Sequence, residues 1–171
     1  MVRRYLLIFC FSWLGASLTQ LFSQQRATAY IFMLEDCVIC QSYTPLLNQL
    51  YENYHRDVEF ILVFPNERSR KDSIEKFIQK YHLKLSYKTD HYKQLSYRYG
   101  VKVTPEVVLA GSDGNAVYQG CLDDGYAAIG KKRRASQQFF KNAIENYLAQ
   151  KPIHPETTTA IGCFINYKEN E

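Results

Sequence analysis

The stretch "LEDCVICQSYTP", Leu34 to Pro45, sets Cys37 and Cys40 three positions apart and follows them with Pro45. Upstream, "ATAYIFML" (27–34) is a short apolar run of β-leaning residues. Downstream, Ile39, Tyr43, Leu46, Leu47, Leu50 and Tyr54 recur at the spacing of one helix face. The two thiols therefore stand where a strand hands over to a helix. Spacing alone leaves three uses open for them: a working dithiol, half of a zinc site, or two core thiols.

Outward from this junction the pattern alternates. "VEFILVF" (58–64) is nearly continuous in apolar character, as expected of a strand covered on both faces. "SRKDSIEKFIQKYHL" carries Ile74, Phe77, Ile78 and Tyr81 at helical offsets and predicts the return helix of a βαβ unit. "LSYKT" (85–89) predicts a short strand, and "DHYKQLSYRYG" a small helix closed by Gly100. "EVVLAGSDGNAVYQG" predicts two antiparallel strands turning at Asp113-Gly114. "SQQFFKNAIENYLAQ" predicts a terminal packing helix capped by Ser136. The expected order is strand, helix, strand, helix, strand, helix, strand, strand, helix: an α/β chain with no internal repeat.

The 171 residues, 46% apolar and 22% charged, suit one domain preceded by a leader. Arg3 and Arg4 precede an apolar run from Tyr5 to Leu18 and then a polar stretch, the order of a secretory signal peptide over residues 1–23. The run is shorter than the roughly 20 residues that span a bilayer, so membrane attachment is expected only through an uncleaved leader. Taking Arg3 and Arg4 from the 21 basic residues leaves a net charge of +2 against 17 acidic ones. A balance so near neutral argues against a nucleic-acid binder. The basic run Lys131 to Arg134 lacks interleaved aromatics and is expected to be a solvated loop or helix start. Export would put Cys37, Cys40, Cys121 and Cys163 in an oxidising, extracytoplasmic setting, periplasmic or secreted.

Cys37-Val38-Ile39-Cys40 at the strand-to-helix junction, Pro45 in the following helix, Thr104-Pro105 before the hairpin and the order of elements together resemble the thioredoxin-like superfamily over about residues 27–149. The resemblance implies a thioredoxin fold, a central mixed β-sheet flanked by helices, over 24–150, with 151–171 as a C-terminal extension. It implies an exported thiol:disulfide oxidoreductase acting on protein or small-molecule disulfides, without cofactor or metal, together with a redox partner that the sequence does not identify. In such a protein Thr104-Pro105 is the cis-proline loop facing the dithiol, and Thr104, Pro105 and Glu106 border the substrate groove. Cys37, at the helix N-terminus, is the expected nucleophile, because unpaired N–H groups and the helix dipole favour a thiolate there. Cys40, one turn on, is the expected resolving thiol.

Several residues depart from the family pattern. Val-Ile stands between the cysteines where thioredoxin has Gly-Pro, and Asp36 stands where it has tryptophan. Glu35 and Asp36 are expected to oppose a thiolate on Cys37 and raise its pKa. Ile31 replaces the buried acid that thioredoxin carries six residues before its first cysteine, leaving Glu106 to serve either as a substitute proton acceptor or as a surface rim residue. A peroxiredoxin-like reading meets Ala29 and Met33 where the PxxxTxxC pattern needs proline and Thr/Ser. A non-catalytic thioredoxin-fold binding module with a permanent CxxC disulfide is the alternative of another class. Zinc would require a second paired ligand set, and His55, His82, His91 and His154 do not provide the spacing; His55 is expected to end the first helix.

The tail "IHPETTTAIGCFINYKENE" has a T-x-A-x-G-C-x-I ending similar to that of some exported thioredoxin-like and redoxin proteins. Cys163 is expected to pair with Cys121, a structural disulfide worth about 3 to 4 kcal/mol if unstrained. The other uses open to it are a third redox thiol beside the CxxC or a free thiol. The fourteen tyrosines are read as amphipathic packing residues with a wet hydroxyl.

Overall fold

The computed structural model describes residues 26–167, so the expected leader at 1–23 lies outside the described residues. A five-stranded mixed sheet has the order β3-β2-β1-β5-β6. Its strands are β1 (Ala27–Phe32), β2 (Val58–Phe64), β3 (Ser86–Thr89), β5 (Glu106–Ala110) and β6 (Ala116–Gly120), and β4 (Val103–Thr104) lies outside it. β1 runs parallel to β2 and antiparallel to β5, with Ile31 facing Leu62 on one side and Val107 on the other. Because β1 and β2 are both internal and covered on both faces, their sequences lack polar alternation.

Helix α1 (Val38–Tyr54) turns Ile39, Tyr43, Leu47 and Leu50 onto one sheet face, against Ala29, Ile31, Leu62, Phe64 and Leu109. Helices α2 (Lys71–Lys80) and α4 (Phe139–Leu148) add Ile74, Phe77, Phe140 and Ile144 to the same cluster. The opposite face is smaller: Phe32, Val63, Val101 and Val108 pack with Leu95 and Tyr99 from the region of α3 (Gln94–Tyr99). Gly100 closes α3 at φ +64°, the left-handed conformation that favours glycine at this position.

Pro45 sits inside α1, where it removes the N–H that would reach the Gln41 carbonyl. The Thr44 hydroxyl donates to that carbonyl instead, at 2.8 Å, so the helix continues through the proline. His55 ends α1 as expected. The Ser136 cap does not form. Asp124 accepts both the Ser136 hydroxyl and its N–H at 2.7 Å, which holds Ser136 in the loop, and α4 starts later, with Gln138 as its cap residue.

Four short strands were not foreseen. They are β4, the pair β7 (Tyr126–Ala128) and β8 (Lys131–Lys132), and β9 (Cys163–Phe164) in the extension. The basic run thus begins in a small exposed ribbon, with Arg133 paired to Asp124. After α4 the extension runs along the edge of β6, where Gln119 N–H donates to Glu156 and Thr158 N–H donates to Gln119, both at 2.9 Å. It then crosses to β4 and ends on the second sheet face, where Ile165 is buried. The extension therefore covers a sheet edge that would otherwise expose unpaired backbone groups.

Leu47 is fully buried between α1 and the sheet. Leu47→Ala is expected to lower unfolding stability by about 2–5 kcal/mol. Leu148→Ala, at an exposed position, should stay within about 0.5 kcal/mol, both measured by urea unfolding.

Candidate active site

The chain leaves β1 with Met33 N–H still donating to Val63 (2.8 Å), and Leu34 N–H then turns to the sulfur of Cys40 (3.5 Å). Cys37 is the N-cap residue of α1, with extended backbone (φ −79°, ψ 114°), and Cys40 follows one turn later, fully buried. Between them Val38 is 73% exposed. A period of 3.6 residues thus sends both sulfurs inward and the intervening Val38 outward.

Two further sulfurs neighbour Cys37: Cys40, one turn along α1, and Cys163 on β9, which stands opposite Thr104 and lines the same cleft as Cys37. The Cys40 thiol is the strongest influence and burial opposes it, and the balance draws the Cys37 pKa down to about 5. Burial, then the negative charge on Cys37, holds Cys40 well above the ordinary thiol value, so it remains a donor. The same two causes push Cys163 up to about 12, and Asp36 adds to them. A thiolate flanked by two thiols that hold their protons is the arrangement a nucleophile requires.

This corrects the expectation that Glu35 and Asp36 would raise Cys37. Glu35 accepts the Ser69 hydroxyl at 2.7 Å, and Asp36 points into solvent. The neighbouring Cys40 and Cys163 outweigh carboxylates that are exposed or engaged elsewhere.

Thr104 joins the nucleophile to the extension. Its carbonyl lies 3.5 Å from the Cys37 sulfur and accepts from it when that thiol is protonated, and its hydroxyl donates to the Cys163 carbonyl at 3.4 Å. The Thr104–Pro105 peptide is cis. Pro105 borders a neighbouring cleft of about 530 Å³ with Tyr43, Tyr126 and Ile161. Glu106 is not brought to the thiols. Its place in β5 turns it to the face of Val108, and it is 8% exposed, bonded to Gln119 (2.7 Å) and near the Lys102 N–H (3.4 Å). Burial raises its pKa. It is neither a rim residue nor, by placement, a proton acceptor for Cys40.

The expected Cys121–Cys163 pairing does not form; all four described cysteines are free thiols. Cys121 is held against Thr158, its N–H and sulfur 3.0 and 3.2 Å from that hydroxyl. Five residues later, a span that an extended chain carries up to about 17 Å, Cys163 has crossed to β4. There β9 pairs antiparallel with β4, Thr104 opposite Cys163. Gly162 makes this approach feasible, since a Cβ there would lie 2.0 Å from the Thr104 carbonyl oxygen. Sequence reading left three uses open to Cys163 and preferred the disulfide with Cys121. The available signal was Gly162 before Cys163, a residue able to lie flat against another backbone.

Cys37, Cys163, Glu35, Asp36, Arg68 and Phe164 line a cleft of about 550 Å³. Phe164 is 78% exposed beside it, yet Cys37 itself is only 2% exposed, because the extension lies over it. Among the described residues, no group of three or more His, Cys, Asp or Glu side chains is placed to hold a metal ion. No described helix is long and apolar enough to cross a membrane.

A family model described as thioredoxin-like matches residues 25–116, a span that includes both cysteines and Thr104-Pro105 but ends before the extension. No curated protein matches the chain. An uncharacterised conserved protein from Geobacillus kaustophilus superposes with a TM-score of 0.76 at 20% identity, covering 86% of this chain and 80% of that one. A hypothetical protein from Sinorhizobium meliloti gives 0.75 at 18% identity, covering 86% and 82%. A secreted Mycobacterium tuberculosis disulfide oxidoreductase, described as homologous to Escherichia coli DsbE, gives 0.52 at 19% identity, covering 74% and 83%. At these identities the likeness is one of fold.

The ultraviolet absorbance of the thiolate in the reduced protein is expected to titrate with a midpoint of about 5. Gly162→Ala, by lifting Cys163 off Thr104, removes its lowering influence on Cys37 and should move that midpoint upward. An unchanged midpoint would show that the extension contributes nothing to the thiolate.

Proposed function

The chain belongs to the thioredoxin-like family, and on that premise we propose that it is a thiol:disulfide oxidoreductase whose working pair is Cys37 and Cys40. The observation that carries this reading is the Cys37 sulfur at the head of α1, with Cys40 buried one turn on and the cis Thr104–Pro105 loop 3.5 Å away, a setting in which the Cys37 pKa is lowered and that of Cys40 raised. In the reducing direction the Cys37 thiolate attacks one sulfur of a substrate disulfide. A mixed disulfide forms and the first substrate thiolate departs. Cys40 then attacks the Cys37 sulfur, closing the Cys37–Cys40 disulfide and releasing the second substrate thiolate, which takes the Cys40 proton. Two electrons pass from the enzyme dithiol to the substrate. Thr104 holds the loop against both sulfurs, and the cleft beside Cys37 receives a protein or small-molecule disulfide.

The apolar leader read in the sequence supports an extracytoplasmic site of action, periplasmic or secreted, and the mycobacterial neighbour is itself described as secreted. Stabilising the thiolate stabilises the reduced form, which makes a dithiol a stronger oxidant. The lowered pKa of Cys37 therefore favours a potential above that of thioredoxin, about −270 mV.

Reduction of insulin disulfides supported by dithiothreitol should be accelerated by the protein and fall to the uncatalysed rate in Cys37→Ser, while Cys121→Ser retains the acceleration. Equal rates with and without Cys37 would sink the reading and favour a binding module. Equilibration with glutathione buffers should give a midpoint above about −270 mV. A value below it would mean that the lowered pKa of Cys37 does not set the direction.

A further inference from the structure

The extension, beyond the span that the family model matches, brings a third sulfur to the nucleophile. Its approach is built on both sides of that sulfur. Upstream, Thr158 is pinned by Gln119, Cys121 and Tyr118. Downstream, Ile165 N–H donates to Lys102 at 3.0 Å, its side chain is buried in the second apolar cluster, and the Tyr167 hydroxyl donates to Val101. Between these anchors Gly162 lies flat on Thr104, Cys163 stands opposite Thr104, whose carbonyl is 3.5 Å from the Cys37 sulfur, and Cys163 and Cys37 line one cleft. Cys40 meets Cys37 from inside the helix, fully buried; Cys163 meets it from the cleft wall, half-exposed.

We propose that Cys163 is a second resolving thiol, so that Cys37 exchanges its disulfide partner between Cys40 within α1 and Cys163 on the extension. This rests on Cys37 being the nucleophile. Once Cys37 is joined to a substrate sulfur it carries no charge, and one cause that keeps Cys163 protonated disappears. Cys163, deprotonated, attacks the Cys37 sulfur. The Cys37–substrate bond breaks, a Cys37–Cys163 disulfide forms, and the departing substrate thiolate takes up the proton. The substrate disulfide has then gained two electrons, one from each of Cys37 and Cys163. Attack by Cys40 on the same Cys37 sulfur next moves the bond to Cys37–Cys40 and frees Cys163, with no net transfer of electrons. The β4–β9 ladder of two residues is short enough to open and admit substrate to a nucleophile that is otherwise covered.

The test uses the reduced full chain carrying Cys40→Ser, treated with one equivalent of 5,5′-dithiobis(2-nitrobenzoate) and mapped by mass spectrometry of non-reduced peptides. The expected product is a Cys37–Cys163 disulfide. In Cys40→Ser/Cys163→Ser the thionitrobenzoate adduct on Cys37 should persist at least about tenfold longer, because a positioned intramolecular thiol reacts far faster than one from solution. Equal adduct lifetimes in the two variants would overturn the proposal while leaving Cys37 as the nucleophile. Failure of Cys37 to form any adduct would overturn the nucleophile assignment and this proposal with it. Cys40→Ala, alone and with Cys163→Ala, repeats the comparison without a hydroxyl in the core, and the same two outcomes decide it.

Discussion

Strand β1 is held from both sides, parallel to β2 and antiparallel to β5, and that double pairing places everything at the site. Its end delivers Cys37 to the head of α1. The start of β5, in register with it through Phe32 and Glu106, delivers the Thr104-Pro105 loop to the same edge of the sheet. A slip of one residue on β5 would turn Val107 away from the α1 face and expose Glu106 to the core beneath the thiols. The apolar residues that flank both segments fix the register, so the chemistry depends on packing well removed from any sulfur.

Within that frame the state of Cys37 is decided by contact over distance. Two carboxylates precede it in sequence, yet the pKa of the sulfur is lowered, with the neighbouring Cys40 as the main cause and Cys163 adding to it. Glu35 is occupied by Ser69, and Asp36 faces water, where its charge is screened. The same hierarchy operates in reverse on Cys40 and Cys163. Burial and the neighbouring thiolate keep both protonated, and their protons are what stabilise Cys37. One anion shared among three sulfurs is a coupled system, and changing any member alters the other two.

The extension joins architecture to chemistry. It seals the edge of β6, crosses at Gly162 and finishes on the second sheet face, so the strand that closes the fold also covers the nucleophile. Cys121 contacts this segment and Cys163 belongs to it, yet the two do not meet. Each is held by its own local bonds, Cys121 by Thr158 and Cys163 by the β4 pairing.

The sequence by itself determined the alternation of strands and helices, the junction carrying the CxxC, and the thioredoxin-like fold, because those depend on periodicity and on residues adjacent in the chain. Ile39 through Tyr54 announce their helix by spacing alone, and Gly100 and Pro45 act through their own backbone restrictions. Only the tertiary structure decided the direction of Glu106, the fate of Ser136, and the partners of Cys121 and Cys163. Each of those is a choice among several partners of similar local appeal. Ser136 had the chemistry of a cap but lay within reach of Asp124. The two-residue strands β4 and β9 carry too few side chains for any periodic signal, and they exist because two distant backbones were brought together by cores already formed elsewhere. The pKa of Cys37 belongs with them: sequence supplied its acidic neighbours, and the fold supplied the surroundings that outweigh them.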